Sequence, residues 1–120
     1  MIYDKHYNYK DYIEESDLVT SEIAEKLEKI GFPIKHRSTG IAGFATSTEL
    51  IRPLISRVLK WLRKEKEIHI VIDIWGRTWG YDILSLPSGE SLHWTAYEEK
   101  INSYEKAALT GIEYVLDNLI

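Results

Sequence analysis

The chain has 120 residues, no cysteine and a net charge of -4. This length suits one domain with its own core, and the absence of cysteine excludes disulfides, thiolate metal ligands and a cysteine nucleophile. Because the sequence shows neither a signal-like start nor an apolar run of roughly 18 residues, we expect a cytoplasmic protein that is neither secreted nor embedded in a membrane.

Charge is spread unevenly along the chain. Residues 1–30 contain 4 basic residues (Lys and Arg) and 8 acidic residues (Asp and Glu). Residues 31–66 contain 8 basic and 2 acidic residues, and residues 67–120 contain 3 basic and 9 acidic residues. One interpretation is that the basic middle segment neutralises acidic neighbours within the fold. The alternative is a positive surface for an acidic partner or a nucleic acid.

The first 18 residues are predicted to form a Tyr-rich N-terminal arm, followed by a single α+β domain over residues 19–120. The arm's tyrosines follow neither a helical nor a strand period: Tyr3, Tyr7, Tyr9 and Tyr12. Such side chains can contact a partner or lie across their own domain.

A first helix is predicted near residues 20–30. Its apolar residues recur at helical spacing: Val19, Ile23, Leu27 and Ile30. Thr20 or Ser21 would cap its first turn, and Gly31 followed by Pro33 would end it. A short strand is expected over residues 32–37.

Residues 38–48 are predicted to form a loop, because they are small and include two glycines. The segment from Gly40 to Gly43 resembles glycine loops that approach phosphates. It lacks both the P-loop ending and the dinucleotide-binding pattern, so anion binding there is a minor alternative.

A second helix is predicted from about Arg52 to Lys66. Thr46 and Glu49 form a possible capping box, but a start there would leave Pro53 inside the helix at a cost of about 3 kcal/mol. Pro53 is therefore placed at the first helical position. The predicted buried stripe consists of Leu54, Val58, Trp61 and Leu62, and the outer basic face of Arg57, Lys60 and Lys64.

Three strands are predicted after the second helix, over residues 68–75, 79–86 and 91–95, with turns at Gly76-Arg77 and Ser88-Gly89. The first register places Ile74, Ile72 and Ile70 opposite Trp79, Tyr81 and Ile83. The second places Ile83 opposite Trp94, and Ser85 opposite Leu92. Both registers give one inner face, with Ile72, Tyr81, Ile83 and Trp94, and on that basis Trp94→Ala would cost about 3 to 5 kcal/mol.

A third helix is predicted from Ser103 to the end of the sequence. Its apolar residues are Ala108, Ile112, Val115, Leu116 and Leu119, and Gly111 among them indicates close packing against the sheet. The predicted fold class is α+β, in the order α-(β)-α-β-β-β-α. A three-stranded antiparallel meander packs against helices in this fold, and the second and third helices cover its inner face.

Of the four histidines, His69 and His93 are predicted to point outward on either side of Leu84. Their backbones would lie about 9 to 10 Å apart, which is too far for a shared zinc ion, so we expect no metal and no cofactor. No catalytic residue is assigned. An enzyme that uses this outer face, with Asp73 and Asp82, is kept as an alternative.

Three segments carry a family resemblance. They are Trp61-Leu62-Arg63-Lys64-Glu65 followed by Ile68-His69-Ile70, Ser103-Tyr104-Glu105-Lys106-Ala107 with Gly111-Ile112, and Glu28-Lys29-Ile30-Gly31-Phe32. In these segments, which span about the last hundred residues, the chain resembles small uncharacterised proteins of phages and mobile elements in Bacteroidetes-type bacteria. That family has no established activity, so the resemblance implies a setting and no catalytic residues.

Taken together, these features favour a non-enzymatic accessory or protein-binding domain, encoded on a phage or mobile element. The alternative is nucleic-acid binding through the basic helix 52–66 and the strand before it. The candidate binding residues for that alternative are Lys35, Arg37, Arg57, Lys60 and Lys64. The acidic balance of the whole chain argues against nucleic acid as the partner. The sequence leaves the protein partner and the oligomeric state open.

Overall fold

The computed structural model describes residues 13–38, 48–95 and 99–120. A 3₁₀ turn at Glu15–Asp17 is followed by α1 (Ser21–Lys29), β1 (His36–Ser38), β2 (Thr48–Leu50), α2 (Ile55–Glu65), β3 (Ile68–Trp75), β4 (Thr78–Ser85), β5 (Ser91–Trp94) and α3 (Tyr104–Asn118). The predicted α+β fold with a three-stranded antiparallel sheet is confirmed. The glycine segment 40–43 and the four tyrosines of the arm lie outside the described residues.

Helix α1 forms as the sequence predicts. The Thr20 hydroxyl oxygen accepts a hydrogen bond from the Ile23 amide at 3.2 Å, which caps the first turn. Gly31 leaves the helix with φ at +101°, a conformation that glycine adopts without strain. The buried side of α1 joins the core, and Lys26 reaches Asp117 of α3 at 2.8 Å.

Strands β1 and β2 form a separate antiparallel pair, and the sequence predicted only the first of them. β1 covers the end of the expected 32–37 strand, while β2 occupies residues that were interpreted as loop or helix start. Arg37 lies opposite Glu49, and their side chains pair with Nε 3.1 Å from Oε2. Both side chains are exposed, so this pair adds little to stability.

Helix α2 starts three residues later than predicted. Leu54 is its N-cap, so Pro53 precedes the helix and does not occupy the first helical position. The buried residues are Ile55, Val58, Leu59 and Leu62, whereas Leu54 and Trp61 of the predicted stripe are only partly buried. Positions 55, 58, 59 and 62 lie on one helical face. The buried face of α2 is therefore rotated relative to the predicted stripe.

The pairing of β3 with β4 agrees with the predicted register, from Trp75 opposite Thr78 to Ile70 opposite Ile83. Ile68, Ile70 and Ile83 of this inner face are buried in a core that α2 and α3 complete, and Ile72 packs against it, whereas Ile74 is 50% exposed. Close packing at Gly111 is also confirmed, since a Cβ there would lie 3.0 Å from Ile70 Cγ2. In the described part of the chain, none of the helices is long and apolar enough to cross a membrane.

The predicted register of β4 with β5 is wrong by one residue. Ile83 lies opposite His93, and Trp94 lies opposite Asp82. The Ser85 amide donates to the Glu90 carbonyl at 2.8 Å, so residues 86–89 form a four-residue connection where a two-residue turn was expected. A bulge near Leu84 then lets Ser91 pair with Leu84. A slip of one residue reverses the faces, so His93 lies on the inner side and Trp94 on the outer side.

Candidate functional site

The outer face of the β3-β4-β5 sheet lies opposite the face on which α3 packs through Gly111. Alternation along β3 and β4 places Asp73, Trp75 and Asp82 on this face. The opposite face carries the buried Ile70, Tyr81 and Ile83. Trp94 joins them from β5 through its pairing with Asp82. Trp75 is 39% exposed and Trp94 is 63% exposed, which is high for tryptophan. Two large aromatic side chains therefore stand in solvent on one sheet face.

Gly80 determines where the Trp75 ring lies. A Cβ at Gly80 would be 2.7 Å from Trp75 Cζ3 and 2.8 Å from Cε3, so the indole lies directly on the glycine backbone. Trp75 and Gly80 are diagonal neighbours across the hairpin, a distance that an aromatic side chain can bridge. Because Gly80 has no side chain, the Trp75 ring can lie along the sheet surface over its backbone.

Asp82 shares this face with the two tryptophans and lies opposite Trp94. Its Oδ1 accepts a hydrogen bond from the Ser91 hydroxyl at 2.6 Å, which orients the carboxylate. Trp75, Asp82 and Trp94 line a shallow depression of about 250 Å³ together with Thr95. We call these three residues the Trp–Asp–Trp patch. The patch combines two aromatic faces with a half-buried carboxylate and contains no nucleophile or general base in a reactive pair.

His69 and His93 do not share a face, which corrects the prediction that both point outward. The His93 ring stacks on Tyr114 of α3, with ring centroids 3.7 Å apart and an interplanar angle of 3°. This stacking follows from the slipped register, which turns His93 toward the helices. His69 stays on the outer side, and its Nδ1 is buried without a hydrogen-bond partner among the described residues. The two imidazoles therefore cannot act together on the outer face.

Within the described ranges, no group of three or more histidine, aspartate and glutamate side chains could hold a metal ion. Burial raises the pKa of the Tyr81 phenol, with a smaller contribution from Glu99. Tyr81 lies in the core beside the His93 ring, at 5.9 Å between centroids. Its altered pKa thus reflects packing under the sheet rather than a reactive site.

The five basic residues that the sequence proposed for binding lie in two separate places. Lys35 and Arg37 are at and next to β1, where Arg37 pairs with Glu49. Arg57, Lys60 and Lys64 are exposed on α2 and form no ion pair within the described part of the chain. No hydrogen bond or ion pair among the described residues joins the two groups. Internal neutralisation therefore accounts for Arg37 and leaves the three α2 cations unexplained.

Trp94→Ala tests the corrected register, and it should lower the free energy of unfolding by less than about 1 kcal/mol. The reason is that an exposed side chain gains little from folding, and most surface substitutions stay within about 0.5 kcal/mol. Urea unfolding followed by circular dichroism measures the change. A decrease of about 3 kcal/mol or more in the free energy of unfolding would mean that Trp94 lies in the core, as the predicted register had it.

Sequence reasoning missed the two tryptophans as site residues, because large aromatic side chains are usually buried. A signal for Trp75 was present, since the predicted hairpin register already placed it beside Gly80 on the outer face. No such signal existed for Trp94. No protein-family model, curated protein or solved structure matches this chain, so its function has to be argued from these residues.

Proposed function

We propose that this chain is a non-enzymatic, protein-binding accessory domain of the cytoplasm that contacts its partner through the Trp–Asp–Trp patch. The observation that carries the proposal is the exposure of Trp75 and Trp94 on the sheet face opposite α3. Exposed tryptophan is costly to leave in water and is enriched among residues that dominate protein interfaces. The family resemblance adds a phage or mobile-element setting to this proposal.

The surroundings of the patch support a protein partner. Leu92, at the bulge two residues before Trp94, is 42% exposed and extends the apolar surface along β5. No strand of the described ranges pairs with the outer edge of β5, so this edge also offers backbone groups that an extended segment of a partner could pair with. Apolar side chains, polar backbone and a carboxylate thus occur together, as in the mixed core and rim of protein interfaces.

Site-specific photo-crosslinking tests the proposal. A benzoylphenylalanine replaces Leu92 in one version of the full chain and Lys60 of α2 in a matched version, and each is irradiated in an extract of the source cells. We expect a discrete protein adduct from position 92 and none of the same mass from position 60. An adduct from position 60 alone would move the binding surface to α2 and overturn the assignment.

A second candidate function is nucleic-acid binding through α2. It is favoured by three cations of this helix that are exposed and form no ion pair among the described residues. If Arg57, Lys60 and Lys64 each neutralise a phosphate of duplex DNA, log affinity should fall against log salt with a slope of about -2.7. The net charge of -4 opposes this function, because the field of the whole chain repels a polyanion.

Fluorescence anisotropy with labelled duplex and single-stranded oligonucleotides at about 150 mM salt separates the two candidates. The protein-binding proposal predicts no affinity tighter than the non-specific range of about 10⁻⁴ to 10⁻⁶ M. Sub-micromolar binding that is lost when the three α2 cations are changed to Glu would establish the second candidate in its place.

A further inference from the structure

We propose that the Trp–Asp–Trp patch binds the guanidinium group of an arginine carried on a basic segment of the partner protein. This inference rests on the proposed function and names the chemistry that its surface recognises. The observation behind it is that Asp82 and two exposed indoles line the same depression.

Asp82 supplies an available negative charge. Its Oδ1 accepts a hydrogen bond from the Ser91 hydroxyl at 2.6 Å. None of the ion pairs in the described part of the chain includes this carboxylate. Because the residue is half-buried, water screens its charge less than it screens a fully exposed carboxylate. A cation that enters the depression would therefore gain a charge-assisted hydrogen bond to Asp82.

The tryptophans select the kind of cation. Indole is the best aromatic partner for cations, and contacts within about 6 Å of the ring are favourable. Guanidinium is planar, more weakly hydrated than ammonium, and stacks on aromatic faces while it donates to a carboxylate. A site with indoles beside one carboxylate fits arginine better than lysine for these reasons.

The charge around the patch favours a basic segment over a nucleic acid. The strands β3, β4 and β5 contain two carboxylates, Asp73 and Asp82, and no Lys or Arg, whereas Arg77 of the turn and Lys100 line a neighbouring depression with Trp75. Asp73 adds a second carboxylate to the outer face, beside Gly80 across the hairpin. A negative surface attracts a basic peptide at long range and repels phosphates, which makes the surface and the proposed partner complementary.

The test uses the four tryptophans as reporters. Indole N–H resonances of Trp61, Trp75, Trp79 and Trp94 are followed by NMR while the full chain is titrated with the peptide Gly-Ser-Arg-Gly-Arg-Ser-Gly. The matched control peptide has citrulline, which has the shape of arginine without its charge, at both arginine positions. Trp61 serves as the internal control because it lies outside the patch, against Phe32.

We expect the Trp75 and Trp94 resonances alone to shift, with the citrulline peptide binding about fivefold to thirtyfold more weakly. Asp82→Asn should remove that difference while Ser91→Ala, which keeps the charge, largely preserves it. Gly80→Ala should weaken binding because a Cβ displaces the Trp75 ring. Folding of every variant is checked by the unchanged shift of Trp61.

Equal affinity for the two peptides, or full binding by Asp82→Asn, would overturn the arginine proposal. So would Trp75 and Trp94 shifts that depend on protein concentration without peptide, since a second copy of the chain would then occupy the patch. A partner adduct from position 92 together with equal binding of the two peptides would leave the proposed function standing while this inference fails.

Discussion

Ile83→Ala is expected to lower the free energy of unfolding by about 2 to 5 kcal/mol. Ile83 is 0% exposed and lies on the central strand β4, between Ile70 of β3 and His93 of β5. Truncation removes buried methyl groups and leaves a cavity that a well-packed core cannot fill. Because a domain of this size has a total stability of about 5 to 15 kcal/mol, such a loss would be readily seen in urea unfolding.

Leu92→Ala is the matched control for Ile83→Ala, because it removes a similar aliphatic side chain from the neighbouring strand. Leu92 is 42% exposed, so its truncation should cost less than about 1 kcal/mol. Equal losses for the two variants would mean that the buried and exposed sides of the β4-β5 pair are not those described.

Gly111→Val is expected to cost about 1 to 3 kcal/mol, although valine has a better helix propensity than glycine. A Cβ at position 111 would lie 3.0 Å from Ile70 Cγ2 and 3.3 Å from Tyr81 Cγ. Both neighbours are buried, so neither can move aside without disturbing the core. The added methyl groups of valine would therefore push α3 away from the sheet, which thermal or urea unfolding detects.

Glu113→Val provides the control for this second variant. Position 113 is exposed in the same helix, so valine there has the same propensity without the steric conflict. Similar stability of the two variants would show that α3 does not press against Ile70 and Tyr81 at Gly111.

The first hairpin could be predicted from sequence because two independent signals agree. The alternating isoleucines of β3 specify one buried face, and Gly76 begins the turn with φ at +70°. The caps of α1 and α3 were predictable for a similar reason, since Thr20 and Ser103 lie directly before apolar residues at helical spacing. Local turn or cap chemistry and the apolar pattern lead to the same structure in each case.

The second hairpin could not be predicted, because β5 has no polar alternation to specify its faces. Leu92, His93 and Trp94 are all large, so either register gives a plausible inner residue. The choice depends on the four-residue connection that ends at Glu90 and on the bulge near Leu84. Neither has a distinct sequence signal, and the patch was missed because Trp94 was assigned to the wrong face.

Strand β2 was missed because it is short and its sequence also fits a helix start. Thr46 and Glu49 match a capping box, yet Glu49 lies in a strand and pairs with Arg37. The pairing joins residues far apart in sequence, and such tertiary contacts override local preference in a three-residue segment. Pro53 and Leu54 then delay the helix to Ile55.

The proposed partner binds at the Trp–Asp–Trp patch and not at α2. The most direct measurement is the yield of the photo-adduct from position 92 in otherwise identical chains that carry either Trp94→Ala or Glu at positions 57, 60 and 64. We predict that Trp94→Ala lowers the yield at least about tenfold, as loss of a central interface tryptophan does, while the α2 variant matches the wild type. An unchanged yield with Trp94→Ala, together with its loss in the α2 variant, would contradict the claim.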